Sequence, residues 1–156
     1  MKACPFCQSG IRETFFLEST NFMAVYNIAP VFPGHAMVIP KAHITGLLLI
    51  PEEEITEMVK LSRKVIRILQ EAFHANGFNW TIQEGEEAGQ TIEHLHMHII
   101  PRKPGDLKCP GDWYPLLKKF YSENIDSKFR PKISAGDMKR IVMKLKETAD
   151  LLYPPV

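Results

Sequence analysis

Residues 94–100 read His94-Leu95-His96-Met97-His98-Ile99-Ile100. Three histidines alternate with large apolar residues, and a chain that alternates in this way is set to run as a strand with two unlike faces. Side chains at i, i+2 and i+4 of a strand project from one side. The alternation therefore predicts His94, His96 and His98 in a row on one face, with Leu95, Met97 and Ile99 turned to a core. Imidazole works as nucleophile, general base or metal ligand near neutral pH. The plainer alternative is an exposed strand face with incidental histidines. Three of the chain's six histidines fall within these five positions, which weighs against it.

Composition bounds what such a strand belongs to. A chain of 156 residues with 45% hydrophobic content suits one globular domain. Nineteen basic against 18 acidic residues leave a net charge of +1. That balance argues against a binder of polymeric nucleic acid, which shows a basic excess. It leaves room for a small anionic ligand held by a few groups. The longest apolar run, Leu47-Leu48-Leu49-Ile50, is far too short for a membrane span. Met1-Lys2-Ala3-Cys4-Pro5 lacks the apolar stretch of a signal peptide. A cytoplasmic protein with no membrane partner is the expectation, and its three cysteines are then not expected to form structural disulfides.

The rest of the chain alternates strand and helix signals. Residues 14–18 and 22–27 read as short strands around the turn Ser19-Thr20-Asn21. Residues 28–35 form a shaped loop with two prolines and a glycine, and 36–40 a third apolar strand. Pro51 followed by Glu52, Glu53 and Glu54 marks a helix start, because carboxylates favour the positive end of the helix dipole. Ile55, Met58, Val59, Ser62, Val65, Ile66, Leu69 and Phe73 recur at helical spacing as a packing stripe. Gly77 lies just past the expected end. Residues 78–83 resume strand chemistry, 84–90 form a turn-rich loop, and the histidine strand follows, closed by Pro101.

The C-terminal third is less regular. Residues 102–119 carry three prolines and two glycines, with Trp113 and Tyr114 offering aromatic surface. Ser134 and Asp137 approximate a capping box for a last helix, whose apolar face is Met138, Ile141, Val142, Leu145, Ala149 and Leu152. The pattern predicts an α+β fold: an antiparallel sheet with a long packed helix and a C-terminal helix. Residues 1–106 form the expected core, and 107–156 an extension packed on the same domain.

Cys4-Pro5-Phe6-Cys7 is a second feature. A cysteine pair at this spacing suits a tetrahedral zinc site or a redox dithiol. A thioredoxin-like pair would follow a strand and open a helix. Here only three residues precede Cys4 and no helical pattern begins at Cys7, so the context favours metal. Two further ligands are then needed. Cys109 is one candidate, and His35, His43, His74 and the three histidines of 94–98 are others. His74 could instead interact with the helix dipole, and His35 in Pro33-Gly34-His35 could be a buried hydrogen-bonding residue.

Taken together, these residues resemble the histidine triad signature of the HIT superfamily of nucleotide hydrolases and transferases. Gly89-Gln90-Thr91 before the triad and Pro101-Arg102 after it are similar to the fragile histidine triad branch, the dinucleoside polyphosphate hydrolases. Gln83-Glu84-Gly85, Pro33-Gly34-His35 and Val38-Ile39-Pro40 match further family positions. The resemblance runs from about Cys4 to Asp106. The cysteine pair departs from that branch and resembles the zinc-bearing bacterial members. By that resemblance the zinc ligands are Cys4, Cys7, His43 and His94, and the zinc is structural.

The resemblance also assigns chemistry. A phosphoanhydride repels anionic nucleophiles, whereas a neutral imidazole attacks the α-phosphorus without that repulsion. His96 is the implied nucleophile, with its other ring nitrogen held by the backbone carbonyl of His94. His98 is implied to donate to phosphate oxygens and Gln83 to hold bridging or non-bridging oxygens. Gly89, Gln90 and Thr91 are implied at the leaving phosphate, and Asn27 at the ribose. Gln83 as an ordinary strand residue and Asn27 as a turn residue are the alternatives. The expected activity is hydrolysis of diadenosine tri- or tetraphosphate, releasing a nucleoside monophosphate. Phosphoramidase, nucleotidyltransferase and nucleotide-sensor readings stand beside it; Thr91 and Pro101-Arg102 favour the hydrolase over the phosphoramidase. Family members are commonly homodimers, so a homodimer is expected.

Overall fold

A computed structural model describes residues 4–109, 111 and 130–154. Trp113 and Tyr114 lie outside the described residues. The core is a five-stranded antiparallel sheet in the order β1-β2-β3-β5-β4. Its strands are β1 (Phe15–Glu18), β2 (Phe22–Tyr26), β3 (Ala36–Pro40), β4 (Gly77–Ile82) and β5 (Met97–Arg102). Helix α1 (Glu52–Phe73) separates β3 from β4, and α2 (Ala135–Leu152) follows the sheet. The expected α+β arrangement is therefore present.

Both faces of the sheet centre are covered. β2 and β3 are buried along their whole length, matching their nearly continuous apolar sequences. On one face, Ala24, Tyr26, Val38, Leu95, Met97 and Ile99 meet Met58, Leu61, Val65, Ile68 and Leu69 of α1. Met138, Val142, Leu145 and Ala149 of α2 join the same cluster. On the other face, Met23, Val25, Met37 and Ile39 pack under Phe6. Burying each large aliphatic side chain contributes about 1.5–3 kcal/mol, so these two layers supply the main drive to fold.

The helix starts match their sequence signals. Glu52, Glu53 and Glu54 occupy the first turn of α1. Ser134 Oγ accepts from the Asp137 N–H at 3.1 Å and donates to Asp137 Oδ2 at 2.6 Å, closing the N-terminus of α2. Other details differ. α1 ends at Phe73, and His74 rather than Gly77 turns the chain, with φ +54°. Gly77 instead opens β4. The buried stripe of α1 takes in Leu61, Ile68 and Ala72 and leaves Val59 40% exposed. Contact with α2 as well as the sheet widens the buried arc beyond one packing stripe.

The histidine segment is only half strand. β5 begins at Met97, so His94 and His96 precede it. The cause lies with the neighbours: Met97 pairs with Val38 on one side and with Ile82, the last residue of β4, on the other. Before that point the chain bonds to a loop, with the Leu95 N–H donating to the Ile44 carbonyl at 2.6 Å. Nor does Pro101 end the strand. Pairing with β3 stops at Ile99, whereas pairing with β4 runs on to Arg102, so Pro101 sits where β5 has a single neighbour. The alternation of faces still holds: Leu95, Met97 and Ile99 enter the α1 side, and all three histidines are buried.

Candidate active site and metal centre

His94 belongs to two arrangements at once. Its ring Nε2 lies 3.0 Å from the Pro40 carbonyl oxygen, which can only accept. Nε2 therefore carries the proton and Nδ1 keeps its lone pair. That lone pair faces the thiols, with Cys4 Sγ at 3.5 Å and Cys7 Sγ at 3.6 Å. His43 Nδ1 lies 3.3 Å from Cys7 Sγ. The four ligand atoms of Cys4, Cys7, His43 and His94 all fall within 4.8 Å of one another.

Local structure explains the cluster. Residues Pro5–Cys7 form a single 3-10 turn, with the Cys7 N–H donating to the Cys4 carbonyl at 3.1 Å. The turn brings both thiols to one side and buries Phe6 between them. The Phe6 ring meets those of His94 and His96 edge-on at 5.5 and 5.4 Å. His43 comes from the loop just beyond β3. In a tetrahedral zinc site, bonds of about 2.3 Å to sulfur and 2.0–2.1 Å to nitrogen place adjacent S and N atoms roughly 3.5 Å apart. The observed S–N separations fit. Burial lowers the His94 pKa, favouring the neutral ring that ligation needs. Burial and the adjacent Cys4 raise the Cys7 thiol pKa, and a bound cation would reverse that preference. These residues could hold a metal ion. Cys109 is exposed and stands outside the cluster, as do His35 and His74.

The second arrangement grows from the backbone of the same residue. The His94 carbonyl accepts from His96 Nδ1 at 2.6 Å, so the His96 proton sits on Nδ1 and Nε2 is the unprotonated nitrogen. The His98 ring stands edge-on to that of His96 at 4.9 Å. His98 Nδ1 is in turn 2.9 Å from His35 Nε2. The Val31 N–H points at His35 Nδ1 at 3.2 Å, so that nitrogen accepts and the His35 proton sits on Nε2. His35 then donates to His98 Nδ1, and His98 carries its own proton on Nε2 as a donor.

His35 is held by loop geometry that only glycine accommodates. Gly34 has φ +93°, and a Cβ there would lie 2.7 Å from Pro101 Cγ and 3.1 Å from Phe73 Cδ2. The Gly34 N–H donates to Tyr26 Oη at 2.9 Å. The buried hydrogen-bonding alternative for His35 thus describes it, but its partner, His98, lies 63 residues away and no local pattern names it.

The remaining candidates surround this core unequally. Gln83 follows β4 and donates from Nε2 to the Ala88 carbonyl at 2.7 Å, leaving one amide hydrogen for another acceptor. Gln90 accepts from the Gly85 N–H at 2.8 Å and so closes its own loop; Gly89 turns that loop with φ +88°, and Thr91 is exposed. Asn27 lies one residue beyond β2, where Oδ1 accepts from the Ala29 N–H at 2.8 Å. That bond is an Asx turn, so Asn27 shapes the loop leading to His35.

Comparison with known proteins places this geometry in a family. The HIT domain model matches residues 8–105. Bis(5'-adenosyl)-triphosphatase of Dictyostelium discoideum is 36% identical over 107 residues, covering 69% of this chain and 71% of that one. The asymmetrical bis(5'-nucleosyl)-tetraphosphatase of Schizosaccharomyces pombe is 41% identical over 114 residues, covering 73% of this chain and 63% of that enzyme. Among solved structures, a Zn-bound histidine triad family protein from Mycobacterium smegmatis superposes with a TM-score of 0.70 at 26% identity, covering 96% of this chain and 95% of that one. The chain with its paired histidine arrangements belongs to the HIT domain family.

Proposed function

We propose that the protein hydrolyses dinucleoside polyphosphates of the diadenosine tri- or tetraphosphate type through a nucleotidyl-His96 intermediate. The observation that carries this reading is the 2.6 Å bond from buried His96 Nδ1 to the His94 carbonyl, which sets the tautomer with Nε2 as the nucleophilic nitrogen. The names of the Dictyostelium and fission-yeast relatives support the substrate class.

In the first step His96 Nε2 bonds to the α-phosphorus and the bond from that phosphorus to the bridging oxygen breaks. The other nucleotide leaves with that electron pair. The His96 ring, now bonded at both nitrogens, becomes cationic, and the His94 carbonyl stabilises its Nδ1 proton. His98 Nε2–H donates to the phosphate oxygens. Gln83 uses its second amide hydrogen on the same group. Gly89, Gln90 and Thr91 face the leaving phosphate, and Asn27 with its loop holds the ribose. Water then attacks phosphorus, the N–P bond breaks, and a nucleoside monophosphate is released.

Cys4, Cys7, His43 and His94 would hold one zinc, with no ligand position left for water, so its contribution is structural. It would tie the N-terminal turn to the residue that orients His96. Residues 1–106 serve as the HIT core and 107–156 as an extension on the same domain. A homodimer in the cytoplasm completes the reading; edge strand β4, with Trp80 43% exposed, supports the dimer. Among the described residues, no helix is long and apolar enough to cross a membrane.

The test is product analysis. Diadenosine triphosphate incubated with the protein should give AMP and ADP, and His96→Asn should abolish turnover while nucleotide binding stays within about tenfold. Faster cleavage of adenosine phosphoramidate would move the protein to the phosphoramidase reading. Retained turnover in His96→Asn would overturn the mechanism.

A further inference from the structure

Helix α1 carries a charge pattern that neither the sheet nor the histidine site explains. Between Glu57 and Glu71 the chain has no acidic residue, yet it holds Lys60, Arg63, Lys64 and Arg67. Spacings of three, four and seven put all four on one helix face, along about 10 Å of axis. All four are exposed. Elsewhere the arginines have partners: Arg12 pairs with Glu18, Arg102 with Asp106 and Arg140 with Asp137, and Arg130 donates to the Ala29 carbonyl. Arg63 and Arg67 make no ion pair or hydrogen bond among the described residues.

This face borders a groove of about 450 Å³, within the range of small-ligand sites. Gln70 continues the arginine row, and Tyr153, just past α2, walls the groove with its ring 5.1 Å from Lys64 Nζ. An ordinary solvated helix face mixes signs so that residues four apart attract. Here Lys60 and Lys64, and Arg63 and Arg67, repel. A bound anion would relieve both pairs. Two guanidinium groups one turn apart suit neighbouring phosphates, each gripped through paired N–H donors, while the lysines add compact charge.

We propose that this groove is a second anion site that takes a chain of linked phosphates, either a nucleoside triphosphate or an inorganic oligophosphate. It is separate from the histidine site. α1 packs on the Leu95, Met97 and Ile99 side of the sheet, whereas Phe6 covers His94 and His96 from the other.

Calorimetric titration of the full chain with inorganic tripolyphosphate, and separately with ATP, tests this. Wild-type protein should bind tripolyphosphate with an affinity that falls steeply with salt. Arg63→Gln with Arg67→Gln should weaken it at least tenfold, and Arg63→Lys with Arg67→Lys less. Hydrolysis of diadenosine triphosphate by both variants should stay at the wild-type rate. Tighter binding of ATP than of tripolyphosphate would assign the site to nucleotides through the Tyr153 wall; equal binding would assign it to the phosphate chain alone. Undiminished tripolyphosphate binding by the glutamine variant would overturn the proposal. So would Arg63- and Arg67-dependent binding of single-stranded RNA or phosphatidylserine vesicles without binding of the small phosphates, which would identify a macromolecular partner.

Discussion

The carbonyl oxygen of His94 lies 2.6 Å from Nδ1 of His96, while the His94 ring faces Cys4 and Cys7. One residue thus links the cysteine cluster to the proposed nucleophile, through its side chain on one side and its backbone on the other. Disturbing the cluster should therefore reach the chemistry only indirectly. Zinc binding to such a site contributes folding free energy, because the unfolded chain does not preform it. Cys4→Ser with Cys7→Ser should lower the melting temperature by roughly 5–10 °C. It should slow turnover about tenfold, the lower range for lost outer support. Elemental analysis should find about one zinc per wild-type chain. Metal-free wild-type protein of full stability would leave the cysteines without this role.

A second prediction concerns His35. Its Nε2–H fixes His98 with the proton on Nε2, the atom needed as a donor. His35→Gln shortens and redirects that bond, so His98 is free to adopt the other tautomer. Turnover should fall by up to roughly 100–1000-fold, the cost of losing one transition-state donor, while KM changes little. Nitrogen NMR of His98 provides the check: Nδ1 should be unprotonated in wild type and partly protonated in the variant. An unchanged His98 signal with lost activity would mean that His35 acts by another route.

Much of this arrangement was legible from residue order, and the exceptions have physical causes. Residues 36–40 are apolar throughout and form β3 over that whole range, because a strand buried on both faces needs no alternation. Pro51 with its three glutamates, and Ser134 with Asp137, located the two helix starts through local electrostatics and capping. The Cys4-Pro5-Phe6-Cys7 spacing likewise marked half of the Cys/His cluster that could hold a metal ion. By contrast, where β5 begins depends on where β3 and β4 stop, which is set by pairing across the sheet. The buried arc of α1 depends on α2, which begins more than sixty residues after α1 ends. Asn27 shows a subtler limit. Its position at a strand end fits either a ribose contact or a turn, and the bond from the Ala29 N–H to its Oδ1 makes the turn.

Gly34 offers a stability prediction. Its φ of +93° is strained for any L side chain, and an added Cβ would press into Pro101 and Phe73. Gly34→Ala should destabilise the fold by about 2–4 kcal/mol, combining backbone strain with overpacking. Chemical denaturation would read this directly. Because the same loop carries His35, activity at a temperature where the variant is fully folded should also fall. A variant as stable as wild type would show that the loop relaxes without cost.

The last prediction is a pH dependence set by Arg102 and Asp106. The Arg102 guanidinium grips both oxygens of Asp106, from Nε at 2.7 Å and Nη2 at 2.9 Å, and reaches Asn79 on β4 through Nη1 at 2.8 Å. Its flat face lies 5.0 Å from the Phe32 ring, in the loop that leads to His35. The bond from Arg102 holds the Asp106 carboxyl below the usual carboxylate range, helped by the Lys103 N–H. A depressed folded-state pKa means that the folded protein binds fewer protons than the unfolded chain. The stabilisation is therefore present above the ordinary aspartate value of about 3.9 and disappears as pH falls through the lower folded value. Asp106→Asn should melt below wild type at pH 7, and the gap should narrow as pH drops below about 4. Thermal melts of both proteins across pH 3–7 decide it, and a gap that stays constant to pH 3 would show that Asp106 stabilises the strand end without its charge.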